Sequence, residues 1–192
     1  MTDKEPEFMF RRHPLYHLPR KQKPPVPGEE FTERWIDLAR ILETIAKDLS
    51  NENKHVEAVE QLFRAKKIWT GVVSVDPHAL TSLLSLLISL IRELIVLGRI
   101  KDAHDICIQT INQWETNSLS YQQKLLLTHI RYCKALIAVE RRLYDEAISE
   151  YENVLSVWEA FSNENMGIFL PIMRQATLAL QQLYQMTSDQ KI

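Results

Sequence analysis

From Glu29 onward the chain alternates between apolar stripes at helical spacing and short polar interruptions. Trp35, Leu38, Ile41, Leu42, Ile45 and Leu49 recur every three or four residues, which predicts an amphipathic helix over about 31–49. The polar run Ser50-Asn51-Glu52-Asn53 ends it, and Val56, Val59, Leu62, Phe63 and Ile68 form a second stripe. Asp76-Pro77 predicts a helix start, a capping carboxylate followed by a proline whose missing N–H costs nothing in the first turn. That helix runs to Leu97 and stops at Gly98. Further stripes predict helices from Ile100 to Trp114, from the capping-box pattern Ser120-x-x-Gln123 to about Arg141, from Tyr144 to Phe161, and from about Asn165 to Met186. Pro171 leaves two readings of the last helix: it splits the helix, or it marks the true first turn.

The stripes repeat. Ala58, Ala103 and Ala147 are spaced by 45 and 44 residues, and Trp69, Trp114 and Trp158 follow the same register. Ala46, Ala135 and Ala179 fill a third column in which Ile91 is the exception. Periods of this size mark stacked supersecondary units, each unable to bury its apolar face alone. The units fall at about 31–70, 77–115 and 120–162, followed by a lone final helix. The small columns are expected where two helices cross closely, with one continuous core shared along the stack. The tryptophans are expected to close the far end of each second helix against the next pair.

The helix Leu83–Leu97 is apolar nearly all round, and such a helix is normally enclosed on every side. Either it is the central helix of the array, or one face is covered by another chain. Its apolar run Leu83–Ile91 is nine residues, against about twenty needed for a membrane span, so no membrane association is expected.

Composition sharpens the picture by where the helix breakers fall. Of 8 Pro and 4 Gly, six prolines (Pro6, Pro14, Pro19, Pro24, Pro25 and Pro27) stand in the first 27 residues. The remainder is too poor in turn glycine for a β-sandwich, a doubly wound α/β fold or a phosphate-cradling loop. Residues 1–30 therefore read as an extended arm, 31–186 as the helical domain and 187–192 as a disordered tail. The formal net charge of −2 gives no global attraction to nucleic acid, but residues 1–24 sum to +3. Arg11, Arg12, Arg20, Lys21 and Lys23, interleaved with Phe10, His13, Tyr16 and His17, suit phosphates or an acidic protein surface. Lys21-x-x-Pro24-x-x-Pro27 also has the form of a polyproline II ligand. Two cysteines without a paired-Cys motif and no visible secretory signal point to the cytoplasm, and the basic clusters have the form of a nuclear import signal.

Leu143-Tyr144-Asp145-Glu146-Ala147-Ile148, followed by Tyr151, resembles the inter-helix turn of a tetratricopeptide repeat. Leu97-Gly98-Arg99-Ile100-Lys101-Asp102-Ala103 and Lys54-His55-Val56-Glu57-Ala58 are similar, and Ala46/Ala58 and Ala135/Ala147 match the family's tight crossing. The resemblance covers about 31–186. It departs in its period of 44–45 instead of about 34, in Ile91, and in lacking a proline after the second helices. The longer period is similar to extended arrays of the bacterial-regulator and kinesin-light-chain type.

The resemblance implies an all-α fold: a right-handed superhelical array of about three antiparallel helix hairpins with a C-terminal capping helix. It further implies a concave groove lined by the first helix of each pair. The groove residues would be Arg40, Glu43 and Lys47, then Ser85, Ile88, Arg92 and Ile95, then His129, Tyr132, Leu136 and Glu140. At the positions where chaperone-binding members clamp a terminal carboxylate stand Glu43, Lys47, Ser89, His129 and Cys133, of which only Lys47 fits. The groove instead suits an amphipathic helix or extended peptide.

No nucleophile motif, phosphate loop or paired-Cys metal site is present, so no enzyme and no cofactor are expected. His104-x-x-Cys107 and His129-x-x-x-Cys133 have helical spacings that would set zinc ligands on one face, against which stands the reading of buried, inert cysteines. Asp102, Asp145 and Glu146 read as solvated turn residues, and Lys54, Arg64, Lys66 and Lys67 as an ordinary solvated face. The leading expectation is a non-enzymatic adaptor that binds proteins. The alternative is a nucleic-acid-associated accessory protein acting through the arm.

Overall fold

A computed structural model describes residues 29–115, 117–160 and 170–189. Every regular element among them is helical. In chain order these are α1 (Glu29–Asn51), α2 (His55–Val73), a 3-10 turn (Pro77–Ala79), α3 (Leu80–Val96), α4 (Ile100–Trp114), α5 (Tyr121–Glu140), α6 (Tyr144–Ala160) and α7 (Leu170–Asp189). The start signals act as expected. Asp76 accepts a hydrogen bond from the His78 N–H, with Pro77 opening the 3-10 turn ahead of α3. Ser120 and Gln123 close a reciprocal capping box at α5. Pro171 is the second described residue of α7, and the expected start near Asn165 lies outside the described residues; α7 continues three residues past Met186.

The same turn is built three times. Asn53, Gly98 and Arg142 have φ of 60°, 69° and 59°, and they sit at the 45- and 44-residue spacing of the alanine column. In each, the N–H of the next residue reaches back five positions: Lys54 to the Leu49 carbonyl, Arg99 to Leu94, and Leu143 to Ala138, at 2.8–2.9 Å. A left-handed residue that satisfies the last carbonyls ends a helix sharply. Ala58, Ala103 and Ala147 then donate their N–H groups to Lys54, Arg99 and Leu143, opening the next helix at once. Three-residue connections of this kind force α1–α2, α3–α4 and α5–α6 into contact as neighbours. The three alanines are fully buried. At the facing column Ala46, Ile91 and Ala135 are also buried, so Ile91 is accommodated in the second crossing.

Each helix packs on the next in the chain, and α3 also packs on α5. The core is two clusters, not one. The first joins α1–α4 to one face of α5 through Leu127, Ile130, Cys133 and Ile137. The second joins the opposite face of α5, through Leu125, Tyr132, Ala135 and Ala138, to α6 and α7. At 100° per residue, Arg131 and Lys134 lie along the border where those two faces meet, so half-buried charges line it.

The tryptophan column also differs from expectation. Trp69 and Trp158 turn back into their own pairs, where Trp69 Nε1 donates to Glu43 Oε1 at 2.6 Å and Trp158 stacks in a tilted cluster with Tyr132. A buried indole N–H needs an acceptor, and the first helix of its own pair supplies it to Trp69. Trp114 remains half-buried.

The segment Pro77–Val96 is long and apolar enough to cross a membrane by length and composition. Here its leucines are buried against α2, α4 and α5, with Leu84, Leu86, Leu90, Ile91 and Leu94 fully enclosed. Its apolar sides are enclosed by neighbouring helices, while Ser85, Ser89, Arg92 and Val96 remain exposed along one side.

The shared turn geometry fixes two opposite stability effects. A Cβ on Gly98 would meet nothing within 4 Å, so Gly98→Ala carries only the left-handed backbone cost, about 1 kcal/mol of destabilisation. Arg142→Gly relieves the same strain at an entropic cost and is expected to stabilise by about 0.5 kcal/mol. Urea unfolding midpoints moving in opposite directions would bear this out.

Candidate binding surfaces

α3 reserves one narrow side for solvent. Ser85, Ser89, Arg92 and Val96, spaced by four, three and four residues, are all exposed, Val96 to 61%. Alongside, α5 exposes Leu136 and Glu140 and half-exposes His129. The two stripes are neighbours. The Arg92 charge acts on both His129 and Cys133; Val96 stands one turn beyond Arg92, and Leu136 two turns beyond His129. The combined surface thus carries a cation near an imidazole, together with the exposed apolar side chains Val96 and Leu136. Burial, and then the Arg92 charge, hold the His129 imidazole below its ordinary pKa.

The residues expected to line the groove divide. Ser85, Arg92, His129, Leu136 and Glu140 lie on this α3–α5 surface, and Ile95 is half-buried at its edge. Ile88 and Tyr132 are buried, at 7% and 8% exposure. Tyr132 meets the rings of His129, Tyr151 and Trp158, and its hydroxyl donates to Gln175 Oε1 at 3.3 Å. Glu43 is half-buried as the acceptor of Trp69, and burial outweighs that bond and Arg40 to raise its pKa. Arg40 and Lys47 are exposed on α1, which packs on α2. Val96 and Ser89 belong to the surface although only a strict helical wheel of α3 would have found Val96 among so many apolar neighbours. Arg11, Arg12, Arg20, Lys21 and Lys23 lie outside the described residues.

On the other side of α5 runs a ladder of half-buried charges. Arg131 bonds Glu150 at 3.0 Å and also Glu115, and Lys134 bonds Glu150 at 2.8 Å and Glu146 at 3.1 Å. His104 of α4 continues it, with Glu146 at 3.8 Å and Arg141 at 3.1 Å. Glu146 is therefore a structural partner and not a solvated turn residue. Burial raises its pKa, but the hydrogen bond and charge of Lys134, with His104, prevail and hold it low. Ser50 and His55 are similarly tied to Glu93, at 2.7 and 2.8 Å, fastening the α1–α2 turn to α3.

The His/Cys pairs are not assembled as ligands. Cys107 and Cys133 are buried free thiols, Cys133 pushed up to about 12 by burial, and His104 is engaged in the ladder. Among the described residues no group of three or more His, Cys, Asp or Glu is arranged to hold a metal ion.

A cleft of about 290 Å³ opens between α2 and α4 over α3. Its apolar surface is Val73, Leu83, Leu87 and Trp114, and its polar groups are Lys66, Thr70, Ser74, Gln109, Thr110 and Gln113. Leu83 and Leu87 point about half a turn away from Ser85 and Arg92, so the cleft and the α3–α5 surface occupy opposite sides of α3. Lys66 is half-buried here and departs from the solvated face expected of it, its pKa lowered by desolvation. No protein-family model matches the chain, and no curated protein matches it in sequence.

Two outcomes follow from this electrostatic arrangement. Glu150→Ala leaves Arg131 and Lys134 short of their shared, nearly buried anion and should destabilise by about 3 kcal/mol, read by urea unfolding. His129 should titrate by NMR below about 6.5, and Arg92→Gln should move it upward. Because the folded state holds His129 neutral, its contribution to stability is lost as pH falls below about 6.5.

Proposed function

We propose that the chain is a non-enzymatic adaptor of tetratricopeptide-like architecture, a right-handed superhelical array of three helix hairpins capped by α7. Its working surface is the exposed α3–α5 stripe. The observation that carries this reading is the contact between α3 and α5, first helices of successive pairs, with Arg92 near His129 and Val96 and Leu136 exposed along the same two helices. The three identical turns at 44–45-residue spacing support the array.

The partner that fits is a peptide or amphipathic helix of another protein. It would carry a carboxylate for Arg92 and apolar side chains for Val96 and Leu136. Rim charges chiefly steer encounter, while the apolar contacts set residence time. Affinity purification of the full chain against an Arg92→Glu/Leu136→Asp variant tests this. Both substituted residues are exposed, so the thermal midpoint should stay within about 2 °C while the co-purified partner falls at least tenfold. Undiminished capture by that variant, or capture abolished by nuclease or by deleting residues 1–28, would overturn the reading and favour the arm as the binding element.

A further inference from the structure

The cleft between α2 and α4 has a counterpart one unit along the chain, and the comparison shows what it lacks. Forty-four residues beyond Leu87, in the cleft floor, stands Arg131 of α5. There the groove is filled, because α6 sends Glu150 and Glu146 to meet Arg131 and Lys134. In the cleft the cation comes from Lys66 of α2, while α4 offers only the neutral Gln109, Thr110 and Gln113. No carboxylate among the described residues pairs with Lys66, and desolvation alone lowers its pKa. A half-withdrawn ammonium beside an apolar floor favours a carboxylate brought from elsewhere.

The remaining polar groups narrow the ligand further. The hydroxyls of Thr70, Ser74 and Thr110 donate to the backbone carbonyls of Lys66, Gly71 and Ile106, at 2.6–2.8 Å. Their oxygens therefore have only lone pairs to offer, which suits the N–H donors of a peptide backbone. The volume is at the lower end for ligand pockets, enough for one large side chain. The combination calls for a short peptide bearing an aromatic side chain next to a carboxylate.

We infer that the cleft is the docking site for this chain's own N-terminal segment, with the Phe8 ring on Leu83, Leu87 and Trp114 and the Glu7 carboxylate on Lys66. Glu7-Phe8 is the one place outside the described residues where an acid and an aromatic residue are adjacent. Asp3, Lys4 and Glu5, on the same side of Phe8 in sequence, add one net negative charge. The tether is sufficient: residues 11–28 extend to about 60 Å, against about 35 Å for α1, the longest helix. Tethering also raises the local concentration of the segment to the millimolar range, so a weak contact suffices. Docking would draw the basic residues from Arg11 onward along the α2–α4 side, away from the α3–α5 surface.

A nitroxide attached to the full chain through Thr2→Cys tests this, since Cys107 and Cys133 are buried and slow to react. The expected result is broadening of the side-chain NMR signals of Gln109, Gln113 and Trp114. Lys66→Glu should lower the ratio of docked to free segment at least about tenfold, and adding Glu7→Lys should restore it. Phe8→Ala, which cannot disturb helix packing through Lys66, should also abolish the broadening. Absent broadening at these signals, or broadening that survives Lys66→Glu or Phe8→Ala, would overturn the proposal. So would broadening seen only between a labelled and an isotopically distinct chain, which would assign the occupant to a second copy.

Discussion

The constraint on which the rest depends is the three-residue turn with a left-handed residue at its centre. It ends one helix and starts the next within a few residues, so the two helices must cross at once. A small side chain at the fourth position after the turn suits such a crossing, and Ala58, Ala103 and Ala147 are fully buried there. Once the pairs are set, every internal helix has a neighbour on two sides. α3 meets this demand with leucine and isoleucine almost all round. α5 meets it with two apolar faces that belong to different clusters.

A helix packed on opposite faces keeps two seams between them, and here the seams carry the polar chemistry. On one side α3 and α5 present Ser85, Ser89, Arg92, His129, Leu136 and Glu140 to solvent. On the other, α5 buries Arg131 and Lys134 against carboxylates of α6, whereas α3 leaves the cleft in which Lys66 stands without one. Breaking a filled seam leaves buried charge uncompensated. Filling an empty one requires a carboxylate from outside the described helices. The two seams of one helix therefore differ in kind: one is exposed to solvent, and the other is either filled by ion pairs or open as a cleft.

Much of this was legible because helix physics writes itself locally. Period, caps and breakers located the helices, and the alanine column gave the register to the residue. What periodicity could not reveal was direction within a pair. Nothing in the spacing of Trp69 and Glu43 says that the indole turns back to its own α1, so Glu43 reads as a groove residue until the hydrogen bond is seen. Tyr132 and Ile88 share helical faces with exposed neighbours, and only the packing of α6, α7 and the first cluster shows that they are covered. The left-handed Asn53 and Arg142 escaped notice because glycine is the usual signal and only Gly98 carried it. Lys66 looked like part of a basic face because its burial comes from α3 and α4, which lie distant in sequence.

The most direct test of the account is native-state hydrogen exchange resolved by helix. If α3 and α5 are each held between two neighbours, their central amides should exchange only with global unfolding, while α1 and α7, packed on one side, open at lower free energy. Amides of α3 or α5 exchanging as fast as those of α7, or the two clusters opening independently across α5, would contradict it.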